Sequence, residues 1–418
     1  MLIKKILNIK IYTYYILTAS IYIIIYLFIT PPFYVADEYS HFQKSSSKEI
    51  FYLKGHLNID SGIKEFSKDF ENLAKQRQYN NTKYNKNFLN NKYKDYSLIN
   101  KYELANLANL SGYPVSGYIF TKLGTSIGKI FTDKVIVIFY LGRLFNLIFS
   151  VIIIYFVIKY ISSNRNYLFI ILCTPMMFSL LGSHSQDVMI FLYTLLLIFF
   201  SDLLLKRNLS FVKQEFFLFL VSSLCMLIVF ARPAYLSFFL LPSFLIYKFS
   251  SKKLYQYLFL TILLIITFVF LYTYETHEPR NTLNFPKDIL FSLKLILNDL
   301  DVNTQKYLYL MIGGLGRIDI FLHFKIYIIF ALSILFQFLI NFDYKKIFSK
   351  INLLIFFIFF STIFLTQIAQ YMYFTETDKT DFIQGVQGRY FIPAFMLIAL
   401  VLDKINKNKN LLLIEKCL

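Results

Sequence analysis

The sequence predicts an all-α polytopic membrane protein of about ten transmembrane helices with a long first extracytoplasmic loop. Hydrophobic residues make up 57% of the 418-residue chain and charged residues only 16%. Many of its apolar runs are too long for a soluble core. Basic residues gather at alternate ends of those runs, as membrane topology requires.

The first apolar run covers residues 11–30 and is followed at once by Pro31-Pro32. Twenty residues at about 1.5 Å each cross a hydrocarbon core of about 30 Å. Proline lacks the backbone N–H that continuation needs, so the helix ends there. Lys4, Lys5 and Lys10 precede the run as in a signal peptide. The run is long and no small-residue cleavage site follows it, so a retained first helix is expected. Further spans are expected over 135–158, 167–182, 188–205, 215–231, 234–249, 254–274, 320–341, 351–371 and 389–403.

One set of span ends carries eighteen Lys and Arg, from Lys4 through Lys159, Arg165, Lys206 and Lys248 to Lys416. The short opposite turns at 183–187 and 232–233 carry only Arg232. The positive-inside rule therefore places both termini in the cytoplasm, with three longer segments outside. Residues 31–134 form the first, an extracytoplasmic loop inserted into what is otherwise a single membrane domain. Its residues 75–101 are rich in Asn, Lys and Tyr, a composition expected of a mobile flap or disorder. Residues 112–131 are moderately apolar and aromatic. They read as a helix lying along the outer surface, a short re-entrant piece being the alternative. The other outer segments run from about 275 to 318 and from 372 to 388.

A net charge of +18 invites a nucleic-acid role. It comes from 35 Lys against 8 Arg, and the lysines sit between apolar runs, so topology accounts for it and no nucleic-acid partner is expected. Cys173 and Cys225 lie inside apolar runs and Cys417 is next to last, so no disulfide framework is visible.

Chemistry is expected first at Asp37-Glu38-Tyr39-Ser40-His41, a few residues beyond the first span. A carboxylate there can act as general base for a hydroxyl, or hold a divalent cation such as Mg or Mn against a phosphate. Asp37 is the candidate base and candidate metal ligand, and Glu38 its catalytic partner. His41 stands four residues on, so a helical turn puts it on the face of Asp37 as a phosphate or hydroxyl contact. Against this stands the reading of ordinary solvated loop residues.

Three of the eight arginines occur as Gly-Arg: Gly142-Arg143, Gly316-Arg317 and Gly388-Arg389. Arg232 occupies the turn Ala231-Arg232-Pro233. Guanidinium groups bind phosphate through paired donors, and four converging on one cavity would suit a lipid phosphate. Singly, each has a blander reading as a snorkelling residue or a partner of Asp187 or Asp319. Ser183-His184-Ser185-Gln186-Asp187 contributes His184 and Asp187 as substrate contacts, unless it only caps two helix ends. Gln387 and Arg389 lie in the polar run 384–393, whose glycines allow close backbone approach to a ligand.

Pro31-Pro32 with Asp37-Glu38-Tyr39-Ser40-His41-Phe42 resembles the proline–acidic pair–histidine signature of a large bacterial membrane-protein family, domain-of-unknown-function family 2142. Thr174-Pro175-Met176-Met177, Arg232-Pro233-Ala234-Tyr235, Gly314-Leu315-Gly316 and the run from Gly385 to Pro393 resemble its later blocks, in order. Ala36 stands where that family usually has proline. The family resembles the GT-C glycosyltransferases, inverting enzymes that take sugars from polyprenyl-phosphate donors on the outer membrane face. The resemblance implies a GT-C-like fold and transfer of a sugar to a cell-surface glycan or lipid acceptor, with Asp37 as base or metal ligand and Glu38 as its partner. Two other classes remain open. A flippase of lipid-linked sugars would place its charges near the midplane. A non-catalytic subunit of a glycan-assembly complex would need no acid/base pair.

Overall fold

A computed structural model describes residues 10–47, 56–80, 96–106, 114–206, 209–250, 252–273, 287–341, 348–375 and 382–402. These residues form an all-α polytopic membrane protein, with only two short two-stranded ribbons among them. Helix α1 (Ile11–Ile24) ends in a π-turn, Ile25–Ile29, just before Pro31-Pro32. Helix α2 (Glu38–Ser46) follows, then strand β1 (His56–Asp60), helix α3 (Ser61–Asn80) and strand β2 (Tyr102–Asn106), antiparallel to β1. A 3₁₀ turn (Val115–Tyr118) leads into α4 (Ile119–Phe131) and then the long α5 (Val135–Tyr160).

The expected span 167–182 is two helices instead, α6 (Arg165–Leu172) and α7 (Pro175–Leu181). Pro175 cannot donate into a continuing ladder, and the Thr174 hydroxyl accepts from Met177 N to start α7 afresh. Helix α8 (Asp187–Lys206) is the central one, the most deeply buried of the long apolar helices among the described residues. Helix α9 (Phe211–Ala231) turns at Arg232 into a 3₁₀ segment (Pro233–Phe239) and α10 (Leu240–Phe249), and α11 (Lys253–Thr273) follows.

Residues 275–318 are expected as an outer segment. Its described part is instead the 27-residue helix α12 (Lys287–Gly313), whose acids and amides lower the apolar average without breaking the helix. A ribbon, β3 (Gly314–Leu315) with β4 (Ile320–Phe321), joins it to α13 (Phe324–Asn341); α14 (Lys350–Phe374) follows. The chain then re-enters through a 3₁₀ turn (Gly388–Phe391) and α15 (Ile392–Leu397). Among the described residues six helices are long and apolar enough to cross a membrane, and the stretches Pro233–Phe249, Lys253–Ile266 and Gly388–Leu400 are shorter apolar helices.

The main core packs α5 to α10 with α15 around α8. A second core lies over the end of α1, built on Phe33, Phe42, Phe66, Phe70, Tyr96 and Phe139. Phe33 reaches it with a left-handed backbone, φ 60°, and is fully buried. Within the stretch 75–101, residues 81–95 lie outside the described residues; Tyr96 beyond them is buried and bonds Asp69.

Candidate functional site

Two consecutive acids after the first span go to opposite surroundings. Asp37 takes the left-handed conformation, φ 64°, at the position preceding α2, so Glu38 opens the helix pointing inward. Glu38 meets Arg143 in a two-pronged ion pair: Nε donates to Oε1 at 2.8 Å and Nη2 to Oε2 at 2.6 Å, with both side chains 0% exposed. Arg143 also donates to the carbonyls of Thr30 and Pro31, and its guanidinium lies 4.6 Å from the Phe139 ring centroid. Glu38 further accepts from the backbone N–H groups of Phe33 and His184. Glu38 accepts four hydrogen bonds and Arg143 donates four, the kind of satisfaction under which a buried pair holds a structure together. Glu38 and Arg143, expected at the reacting atoms, are thus placed inside the protein as a brace joining the end of α1, α2 and α5.

Asp37 instead remains open, its side chain 55% exposed. Its Oδ2 accepts from Arg389 Nη2 at 2.9 Å. Arg389 is 4% exposed, and its Nε lies 3.1 Å from Asp187 Oδ2, an ion pair without hydrogen-bond alignment. Asp187 opens α8, where the helix dipole favours a carboxylate, and its Oδ1 accepts from Arg232 Nη2 at 2.9 Å. Arg232 lies over the Tyr390 ring, 3.9 Å from its centroid. Asp37, Arg389, Asp187 and Arg232 therefore form one chain of alternating charge across four chain segments. The blander reading of the arginines, pairing with Asp187, holds for both Arg232 and Arg389.

His41 stands one helical turn from Asp37 in α2, as the spacing predicts, and its N–H donates to the Asp37 carbonyl. Its Nδ1 is 2.7 Å from the Tyr118 hydroxyl. Burial pushes its imidazole down to about 4, with the charges of Asp37 and Asp187 opposing that shift in part. Lys44 continues the same face, its ammonium 5.6 Å from the Tyr118 ring centroid, and burial lowers it to about 7. Sequence reading passed over both. Lys44 had a signal, the 37–41–44 helical spacing, whereas Tyr118 is one of 33 tyrosines, 77 positions from its partner.

The remaining candidates are placed elsewhere. His184 is fully buried, its Nδ1 3.1 Å from Ser45 Oγ and its Nε2 3.0 Å from the Phe139 carbonyl. Burial pushes it down to about 3, so it is a neutral strut between α2 and α5. Arg317 binds Glu71 Oε2 of α3 at 2.7 Å, and Asp319 accepts from its backbone N–H and from the Tyr34 hydroxyl. That contact latches the β3–β4 ribbon to the second core. Gln387 precedes the 3₁₀ turn Gly388–Phe391, half-buried, and its carbonyl accepts from Tyr390 N. Gly388 allows this turn to touch α12: a Cβ there would meet the Tyr307 carbonyl oxygen at 1.9 Å. Asp299 of α12 accepts from Ile383 N and the Tyr307 hydroxyl, fixing the approach to the same turn.

Among the described residues no three His, Cys, Asp or Glu side chains gather as a metal-ligating group. A divalent cation at Asp37 would lack a protein donor set among the described residues.

The family described as "Predicted membrane protein (DUF2142)" matches residues 21–398. No curated protein and no solved structure matches the chain.

Proposed function

The chain belongs to the DUF2142 family of predicted membrane proteins, and from its site we propose that it is a GT-C-like glycosyltransferase of a bacterial inner membrane. In this reading it moves a sugar from a polyprenyl-phosphate donor to a cell-surface glycan or lipid acceptor on the outer face. The observation that carries the reading is the contrast between Asp37 and its surroundings. One exposed carboxylate stands at the end of the first span, linked through buried Arg389 and Asp187 to Arg232.

The acceptor hydroxyl gives its proton to Asp37, and its oxygen forms a bond to the anomeric carbon. The bond from that carbon to the phosphate oxygen breaks from the opposite side, inverting the centre, and its electron pair leaves on the lipid phosphate. Arg232 and Arg389 are the cations placed to receive that charge. His41, kept neutral by burial and met at Nδ1 by Tyr118, serves as a hydrogen-bonding group rather than a second cation. Much of the rate comes from aligning two membrane-bound reactants beside a fixed base. Both arginines lie at helix ends rather than at mid-span, which supports surface chemistry over transport through the midplane.

The test is the surface glycan of a deletion strain, read by mass spectrometry, after complementation with wild type or Asp37→Asn. Loss of a defined sugar that only wild type restores is expected. Restoration by Asp37→Asn at wild-type protein levels would remove Asp37 from the mechanism and favour a transporter or a non-catalytic assembly subunit.

A further inference from the structure

Two levels of the membrane can be read from side chains. Lys10 and Lys159 both approach the Tyr12 ring, 5.8 and 5.9 Å from its centroid, which puts the start of α1 level with the end of α5. At the opposite boundary Arg143 of α5 donates to the carbonyls of Thr30 and Pro31, where the first span stops. From Lys159 to Arg143 is sixteen residues, about 24 Å of helix. A hydrocarbon core of about 30 Å therefore ends about four residues beyond Arg143, near Phe139, and the first turns of α5 reach above it.

Helix α4 runs antiparallel to those turns. A Cβ on Gly128 would meet Ile138 Cα at 3.0 Å, and one on Gly124 would meet the Leu141 carbonyl oxygen at 2.4 Å. Below that, the Phe120 ring stacks on Phe149 with centroids 4.9 Å apart, and Phe149 is six residues, or about 9 Å, deeper than Arg143. Deeper still in sequence, the Ser116 carbonyl accepts from the hydroxyl of Tyr193, six residues or about 9 Å along α8 from Asp187. The 3₁₀ turn Val115–Tyr118 packs on α8 and α9.

We propose that residues 114–123 are a re-entrant segment, dipping into the outer leaflet beside α5, with lipid chains against Ile119 and Leu123, while Ile130 and Phe131 stand above the hydrocarbon. Non-helical backbone at that depth is tolerated only inside protein. The turn meets that demand: Gly117 and Tyr118 are buried, Gly117 N donates to the Pro114 carbonyl, and Tyr193 serves Ser116. Ile119 and Leu123 are 46% and 42% exposed one helical turn apart, an apolar pair open on its outer side. A helix lying flat on the surface would hold all four residues at one depth. An antiparallel pair with α5 separates Ile119 from Phe131 by about 18 Å along the axis. The occupant is acyl chain rather than protein because the contacts of Phe120 and Ser116 fix this depth within the span of α5 and α8.

The chain contains no tryptophan, so each substitution below creates the sole indole emitter. The full-length variants Ile119→Trp, Leu123→Trp, Ile130→Trp and Phe131→Trp would be reconstituted in phosphatidylcholine vesicles with or without dibrominated acyl chains, and quenched separately with aqueous iodide. Ile152→Trp on the outer surface of α5 and Glu65→Trp on α3 serve as lipid and water references. The expected result is loss of most emission to brominated lipid at 119 and 123, as at 152, with iodide quenching at 130 and 131, as at 65. Equal quenching by brominated lipid at all four positions would replace the re-entrant segment with a flat interfacial helix. Iodide quenching at all four would lift the segment out of the membrane. All four positions are exposed, so the substitutions leave packing intact, and no outcome depends on sugar transfer.

Discussion

Arg143 grips Glu38 through two hydrogen bonds with neither side chain exposed, one residue away from a carboxylate that is half in solvent. The adjacent acids thus go to different surroundings, one holding the first span to α5 and the other open to solvent. Removing one partner of such a pair strands a buried charge. Arg143→Met should therefore cost about 3–5 kcal/mol in stability, measured as lost thermal resistance of the detergent-solubilised protein. The double variant Glu38→Leu with Arg143→Met should recover part of that loss. A single variant as stable as wild type would remove the bracing role.

Asp37 carries a left-handed backbone, which Asn tolerates and most β-carbon-bearing residues do not. Asp37→Asn should fold with near-normal stability and lose transfer. Asp37→Ala should lose transfer and also about 1 kcal/mol of stability. Melting the two variants side by side separates the chemical role of the carboxylate from the strain of its backbone.

Gly388 brings Arg389 against α12. Gly388→Ala should force the turn away from Tyr307, costing about 1–3 kcal/mol. Because Arg389 sits on that turn, it should also weaken the hold on Asp37. Transfer, read from the surface glycan, should fall further than the loss of folded protein explains.

His41 and His184 are buried neutral, with values pushed down to about 4 and about 3 from 6.5. Between those limits the unfolded chain binds more protons than the folded one, so stability should fall as pH drops below about 6.5 and continue falling towards 4. His184→Asn should flatten the pH dependence of the melting temperature in that window. An unchanged slope would mean that these imidazoles do not drive the loss.

Lys122 and Lys129 of α4 donate to the carbonyls of Ser47 and Ser46, at the C-terminal end of the helix that begins beside Asp37. Cations there satisfy carbonyls that α2 cannot pair internally. Lys122→Met and Lys129→Met should each cost about 1 kcal/mol. The check is proteolysis of α2 by limited digestion, which should quicken in both variants.

Composition and run length alone determined that this chain is a helical membrane protein, because twenty apolar residues in a row have few other stable states. The sequence also showed Asp37, His41, Asp187, Arg232 and Arg389 as chemically unusual, since polar groups at span ends stand out against an apolar background. It could not rank them, because adjacent residues such as Asp37 and Glu38 look alike until backbone conformation sends them different ways. Hydropathy missed α12, whose Asp299 accepts from Ile383 N and the Tyr307 hydroxyl inside the fold. It also joined α6 to α7 across Pro175, since averaging over a window blurs a single missing donor. Which arginine meets which acid was decided only in three dimensions. Arg389 finds Asp37 across 352 positions, a pairing set by the packing of the turn Gly388–Phe391 against α12 and not by any local pattern.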